Sequence, residues 1–165
     1  MIRIRPFMDE DETRILSWCG DEETYYRWTA GVLGTPPITR EQFRKTAALT
    51  RFTALEEETP AGFFTMRRPG NAPEELRIGF VIVDPARRGR GVGSTMLRLG
   101  VIHAFRVYRV ERVSLGVFED NLPARACYRA AGFVETGFRE AYSIRGAEKF
   151  AVDMEVHRDM RGEAE

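Results

Sequence analysis

Apolar and polar residues alternate near both ends of the chain and fall into helical spacing through its middle. Ile2 and Ile4 interleave with Arg3 and Arg5, which predicts a short strand closed by Pro6. The acidic run Asp9 to Glu12 precedes Ile15, Leu16 and Trp18, a first helix with carboxylates at its positive end. Residues 21–37 show no period and contain Pro36-Pro37, so they are expected to be irregular. Thr39 followed by Gln42 has the form of a capping box opening a helix to about Leu49. Phe52 to Leu55 and Gly62 to Met66 predict a hairpin across the acidic turn 56–60, and a loop runs from Arg68 to Glu75. Leu76 to Val83 is the most strand-like run. Met96, Leu97, Val101, Ile102 and Phe105 then recur at helical spacing, giving a helix with one buried face. Val110 to Phe118 reads as a strand, and Pro123 to Ala131 as a short helix ended by Gly132. Phe133 to Arg139 and Phe150 to His157 close the chain as a final hairpin.

Antiparallel strands, then one strand–helix–strand crossover, then a hairpin predict a mixed α/β (α+β) sheet with one parallel pair. Neither a repeat nor a linker breaks the 165 residues, so a single domain over residues 1–165 is expected. Charge adds little to this picture. Lys+Arg and Asp+Glu both total 25, so no global field points to nucleic acid or an anionic membrane. Cys19 and Cys127 form no C-x-x-C pair and lie among apolar neighbours, so free buried thiols are expected. His103 and His157 have no ligand-like spacing, and no metal site is expected. The N-terminus lacks a signal-peptide pattern, and no apolar run approaches the ~20 residues that span a bilayer. A soluble, cytoplasmic protein is the expectation.

Chemistry enters with the segment from Val83 to Ser94, where an apolar strand runs through a proline turn into an arginine- and glycine-rich loop. Gly89, Gly91 and Gly93 let backbone N–H groups approach an anion, and the loop ends at a helix N-terminus that favours negative charge. Arg87, Arg88 and Arg90 add positive charge. The spacing is G-x-G-x-G, unlike the dinucleotide fingerprint, and no Gly-Lys-Ser/Thr ending makes it a P-loop. A tight, merely glycine-rich connection would also read this way.

Arg88, Gly91 and Gly93 match R-x-x-G-x-G, which resembles the acetyl-CoA pyrophosphate loop of the GNAT superfamily of N-acetyltransferases. A second segment, Asn121 to Phe133, resembles that family's N-x-x-A-x-x-x-Y-x-x-x-G-F. The two stand in the right order and at the right separation. Ile4-Arg5-Pro6 and the run from Gly79 to Pro85 also look like the family, within it closest to the ribosomal-protein N-terminal and polyamine acetyltransferase branch. The resemblance is weakest over residues 21–37 and beyond Val156.

The resemblance implies a largely antiparallel sheet of about seven strands with helices on both faces. Its central parallel pair, Leu76–Val83 and Val110–Phe118, splays to admit acetyl-CoA. The pantetheine arm would pair with the edge at Val81, Ile82 and Val83, and the pyrophosphate would sit on the N–H groups of Arg88, Gly89, Arg90, Gly91, Val92, Gly93 and Ser94. A backbone N–H near Ile82 or Val83 would steady the oxyanion. Asn121 would bond pantetheine amides or cap the helix, and either role explains an asparagine there. Tyr128 would protonate the departing thiolate, although a core tyrosine packed on Phe133 satisfies the same pattern. Glu119, at a strand end beside the gap, is the candidate general base, with a solvated surface glutamate as the alternative. Tyr25, Tyr26 and Trp28 lie where the family builds its acceptor pocket, and Tyr26 and Trp28 are the substrate candidates, against a packing role for the same aromatics. One departure stands out: members of this branch often carry an acid four residues after the turn glycine, and here Gly146 is followed at that position by Phe150.

The expected activity is acetyl transfer from acetyl-CoA to a primary amine, on a protein N-terminus or a small molecule, by direct attack in a ternary complex. Cys127 is turned about 100° from Tyr128 and is not placed for an acyl-enzyme. A non-catalytic acyl-CoA-binding module is the rival, and a nucleotide-binding domain a remoter one. Exposed strand edges leave a homodimer open.

Overall fold

The computed structural model describes residues 1–161; the last four residues of the single domain expected above lie outside them. Seven strands form one sheet in the order β1-β2-β3-β4-β5-β7-β6. They are β1 Ile2–Pro6, β2 Thr50–Glu56, β3 Thr59–Arg67, β4 Glu75–Val83, β5 Arg112–Phe118, β6 Val134–Ile144 and β7 Ala147–His157. All neighbours pair antiparallel except β4 with β5. Among the described residues the five α-helices are α1 Glu12–Ser17, α2 Glu22–Thr29, α3 Arg40–Arg44, α4 Val92–His103 and α5 Leu122–Ala130. This is the mixed fold that the order of elements predicted.

Two cores flank the sheet. On one side Met96, Leu97 and Val101 of α4 pack on Leu76, Ile78, Val113, Leu115 and Met154, burying the helical stripe read from the sequence. On the other, Ile15, Tyr25, Trp28 and Phe43 gather over Phe63 and Ile82. Phe63 and Phe43 lie 5.2 Å apart between ring centroids, and Phe7 meets both edge-on. Among the described residues, no helix is long and apolar enough to cross a membrane.

Three local expectations change. Residues 21–37 are not wholly irregular: Asp21 accepts a hydrogen bond from the Thr24 amide and caps α2, whose first turn carries Glu22 and Glu23. The helix from Thr39 tightens into a 3-10 turn, Lys45–Ala48, before Leu49. Thr39 does accept from the Gln42 amide, but Gln42 donates to the Thr35 carbonyl, so only half of the capping box forms. The last hairpin extends beyond Arg139 and Phe150 to a two-residue turn at Arg145 and Gly146. Both have positive φ (53° and 80°), matching the twist of the strands they join.

Candidate active site

The parallel pair separates within a few residues. β4 and β5 are hydrogen-bonded only from Glu75 to Arg77 against Arg112 to Ser114. That end is fastened by side chains: Arg112 bonds Glu74 and Glu75, Ser114 bonds Glu75, and Arg77 bonds Ser114 at 3.0 Å and Asp153 at 2.7 Å. Beyond it β4 bends away. Phe63 pairs with Ile82 and Thr65 with Gly79, so Phe80 and Val81 together oppose Phe64, a β-bulge. Phe80 takes φ +49°, and its carbonyl accepts the Trp28 indole N–H at 2.9 Å. Toward β5, the backbone from Ile78 to Val83 has no strand partner. That edge can accept an amide-bearing chain.

The glycine loop closes the wide end of this gap. Asp84 accepts from the Ala86 amide and stops β4 in a single turn, Pro85–Arg87. Gly91, at φ +81°, is the N-cap of α4 and offers no side chain to the first-turn amides of Val92, Gly93 and Ser94. Those donors point outward at the positive end of a twelve-residue helix. A Cβ at Gly93 would come within 2.9 Å of Cys127 Sγ, so glycine also allows α4 to approach α5 this closely.

The three loop arginines are not equivalent. Arg87 is paired with Glu56 and Asp84, and Arg90 with Glu56 at 3.0 Å. Among the described residues, only Arg88 of the three has no carboxylate in ion-pair range. The loop thus presents one guanidinium without an ion pair, within electrostatic reach of Asp21, while Glu56 at the end of β2 holds the other two in place. The sequence shows three arginines but not that Glu56 holds two of them.

A cavity of about 690 Å³ lies between these walls. It is lined by Val81, Ile82, Val83, Arg88, Gly89, Gly91, Val92, Gly93, Ser94, Asn121 and Tyr128, so all but one of the predicted donor-binding residues meet here. Arg90 is the exception, turned aside to Glu56. Asn121 caps α5, its Oδ1 accepting from the Ala124 amide at 3.4 Å. Tyr128 is 7 % exposed, with its ring 6.4 Å from that of Phe133, so packing and cavity-lining hold together. Burial pushes its phenol well above the ordinary tyrosine value. Burial likewise raises the neighbouring Cys127 thiol. The free β4 edge, the uncapped amides and the unpaired Arg88 fit a ligand carrying both amides and a diphosphate.

Other predicted residues sit differently. Glu119 receives two hydrogen bonds from Arg139, at 2.7 and 3.1 Å, and lines neither this cavity nor the next. The Arg139 contact holds its carboxyl below the usual range. Arg139 also lies 4.0 Å over the ring of Phe150, the residue found where the family often has an acid. Trp28 is buried at 5 % exposure and braces the bulge, although one edge reaches the cavity.

Tyr26 lines a second cavity, of about 440 Å³, with Phe118, Ile144 and Ala147. Its charged wall consists of Glu22, Glu23, Arg27, Asp120, Arg145 and Lys149. Glu23 and Arg27 line both cavities, so the two meet at α2. Sequence reading missed most of this second site. The hairpin tip and α2 are more than a hundred residues apart, and no local pattern links them. The Asp21-Glu22-Glu23 opening of a helix was the one visible signal.

The chain is 38% identical over 76 residues to mycothiol acetyltransferase of Corynebacterium glutamicum, covering 46% of this chain and 25% of that protein. It is 35% identical over 96 residues to the N-alpha-acetyltransferase RimI of Mycobacterium tuberculosis, covering 57% of this chain and 58% of that one. The matches thus span about a quarter to three-fifths of these relatives' own lengths. In fold, it resembles the spermidine N-acetyltransferase of Vibrio cholerae solved with CoA and spermine. The TM-score is 0.78 at 18% identity, covering 96% of both chains. Residues 7–133, from the end of β1 through the α5 motif that carries Tyr128, match the Acetyltransferase (GNAT) family, and the chain belongs to it.

Proposed function

We propose that this protein moves the acetyl group of acetyl-CoA onto a primary amine, with donor and acceptor bound together. The observation that carries the reading is the convergence of the unpaired β4 edge, the uncapped start of α4 and Tyr128 on one cavity. Acetyl-CoA supplies the activated thioester. Arg88 and the amides from Gly89 to Ser94 bind its diphosphate, and the backbone of Val81 to Val83 orients its amide-bearing arm. An N–H of Ile82 or Val83 faces the reacting carbonyl oxygen.

The acceptor nitrogen forms the new C–N bond as the C–S bond breaks, and Tyr128 passes its hydroxyl proton to the departing sulfur. Burial keeps that phenol protonated at neutral pH while making it a weaker acid than an exposed tyrosine. The proton shed by the amine goes to solvent, because Glu119 is held by Arg139 and lines neither cavity. No acyl-enzyme is involved, since Cys127 lies against Gly93 and its thiol is disfavoured as a nucleophile. Titration calorimetry with acetyl-CoA and thiol release in the presence of amines test the reading. Binding with release supports a transferase; binding without release from any amine would leave the non-catalytic module in its place.

A further inference from the structure

Side chains take up the carbonyls where β4 leaves its regular ladder. The Gly79 carbonyl accepts the Thr65 hydroxyl at 3.1 Å, and the Phe80 carbonyl accepts the Trp28 indole N–H at 2.9 Å. The second bond spans 52 residues of chain and ties α2 to the strand that walls the donor cavity. Phe80 requires such a hold. An aromatic residue at φ +49° is strained, and without a partner for its carbonyl the peptide could relax or turn over. Trp28 is itself fixed: it is buried, with its ring 6.0 Å from that of Phe43 and 6.4 Å from that of Phe63.

Holding that carbonyl fixes the whole peptide, because the unit is planar and trans. The Val81 N–H, at its other end, must point away from Trp28. The same peptide sets the direction in which Val81, Ile82 and Val83 leave the bulge, and all three line the donor cavity. Downstream, β3 holds this run: Ile82 pairs with Phe63, and the Asp84 amide donates to the Ala61 carbonyl at 2.9 Å. Upstream, inside the bulge, Trp28 supplies the hold.

We propose, on the transferase reading above, that Trp28 is a positioning residue for the acetyl carbonyl. Its indole N–H sets the bulge so that a β4 amide meets the thioester oxygen with no rearrangement as charge develops there. Trp28 acts through the Phe80–Val81 peptide and not on the reacting atoms. A ring that merely fills the core would be replaceable by any ring of its shape; a donor would not.

The isostere benzothienylalanine at position 28 keeps the ring and removes only the N–H, and Trp28→Phe is its simpler companion. Acetyl-CoA labelled at the thioester carbonyl is bound to each protein, and the carbonyl stretch is read by isotope-edited infrared spectroscopy. Thiol release is measured beside it with an amine that the wild-type chain accepts. Binding to wild type should lower the stretching frequency. With the isostere the frequency should return toward the free value, and kcat should fall at least about tenfold with the acetyl-CoA Kd unchanged. Trp28→Phe should move both readings in the same direction. An isostere that matches wild type in frequency and kcat would overturn the inference, as would a wild-type frequency equal to that of free acetyl-CoA. Loss of acetyl-CoA binding in step with turnover would overturn it too, since a brace of the core would act that way. No thiol from any amine with wild type, while acetyl-CoA binds and its carbonyl shifts, would instead remove the transferase reading beneath it.

Discussion

The cavity beside Val81 to Val83 is walled mainly by backbone, and the one beside Tyr26 mainly by side chains. In the first, an unpaired strand edge, a left-handed Gly91 and the bare start of α4 present amides whose positions follow from the chain path. In the second, the wall is assembled by ion pairs between α2, the end of β5 and the β6–β7 tip. Backbone walls suit a constant ligand, because few substitutions alter them. Side-chain walls suit a ligand that varies between relatives, because one exchange resets charge and shape.

The contrast can be broken or sharpened by substitution. Tyr128→Phe should have the largest effect, lowering turnover by about 10²–10⁴ with acetyl-CoA affinity retained in calorimetry. Unchanged turnover would remove Tyr128 from proton transfer. Gly91→Val should come next. A β-branched residue at φ +81° costs on the order of 1–3 kcal/mol, read as a weaker acetyl-CoA Kd with acceptor KM little changed. Glu56→Gln removes the carboxylate shared by Arg90 and Arg87, leaving Arg87 with Asp84 alone, and should raise the acetyl-CoA KM several-fold; an unchanged KM would mean that the clamp is irrelevant to binding. Arg145→Ala breaks an exposed pair worth roughly 0–1 kcal/mol and should shift only the acceptor KM. The smallest effect is expected at Glu119. Its folded pKa is depressed by Arg139, so any stability it adds is present above its unfolded value and lost as pH falls through the folded one. It therefore stays ionised through neutral pH, and Glu119→Gln should leave the neutral limb of the pH–rate profile where it was.

The same division governs what the sequence disclosed. Strand β4, the loop and α4 are contiguous, so their apolar period, glycines and helix start could be read together. The α5 motif announced its asparagine cap and Tyr128 in the same way. The second cavity depends on contacts across the whole chain, such as Glu22 with Arg145, which have no local signature. For Trp28, a place near the acceptor region is legible, but not that its indole N–H serves the Phe80 carbonyl. The loop arginines were over-counted because Glu56, their anchor, belongs to a different hairpin.

The three-rung ladder between β4 and β5 has a mechanical corollary. Within the sheet, strands β1–β4 and β5–β7 are hydrogen-bonded to each other along one short seam, while α4 packs across both. A donor molecule lodged in the open part would act as a keystone, touching β4 and the α4 start on one side and α5 on the other. Saturating the protein at a hundred times Kd would add about 2.7 kcal/mol, and amide-exchange protection should then rise on both sides of the seam rather than only in the loop.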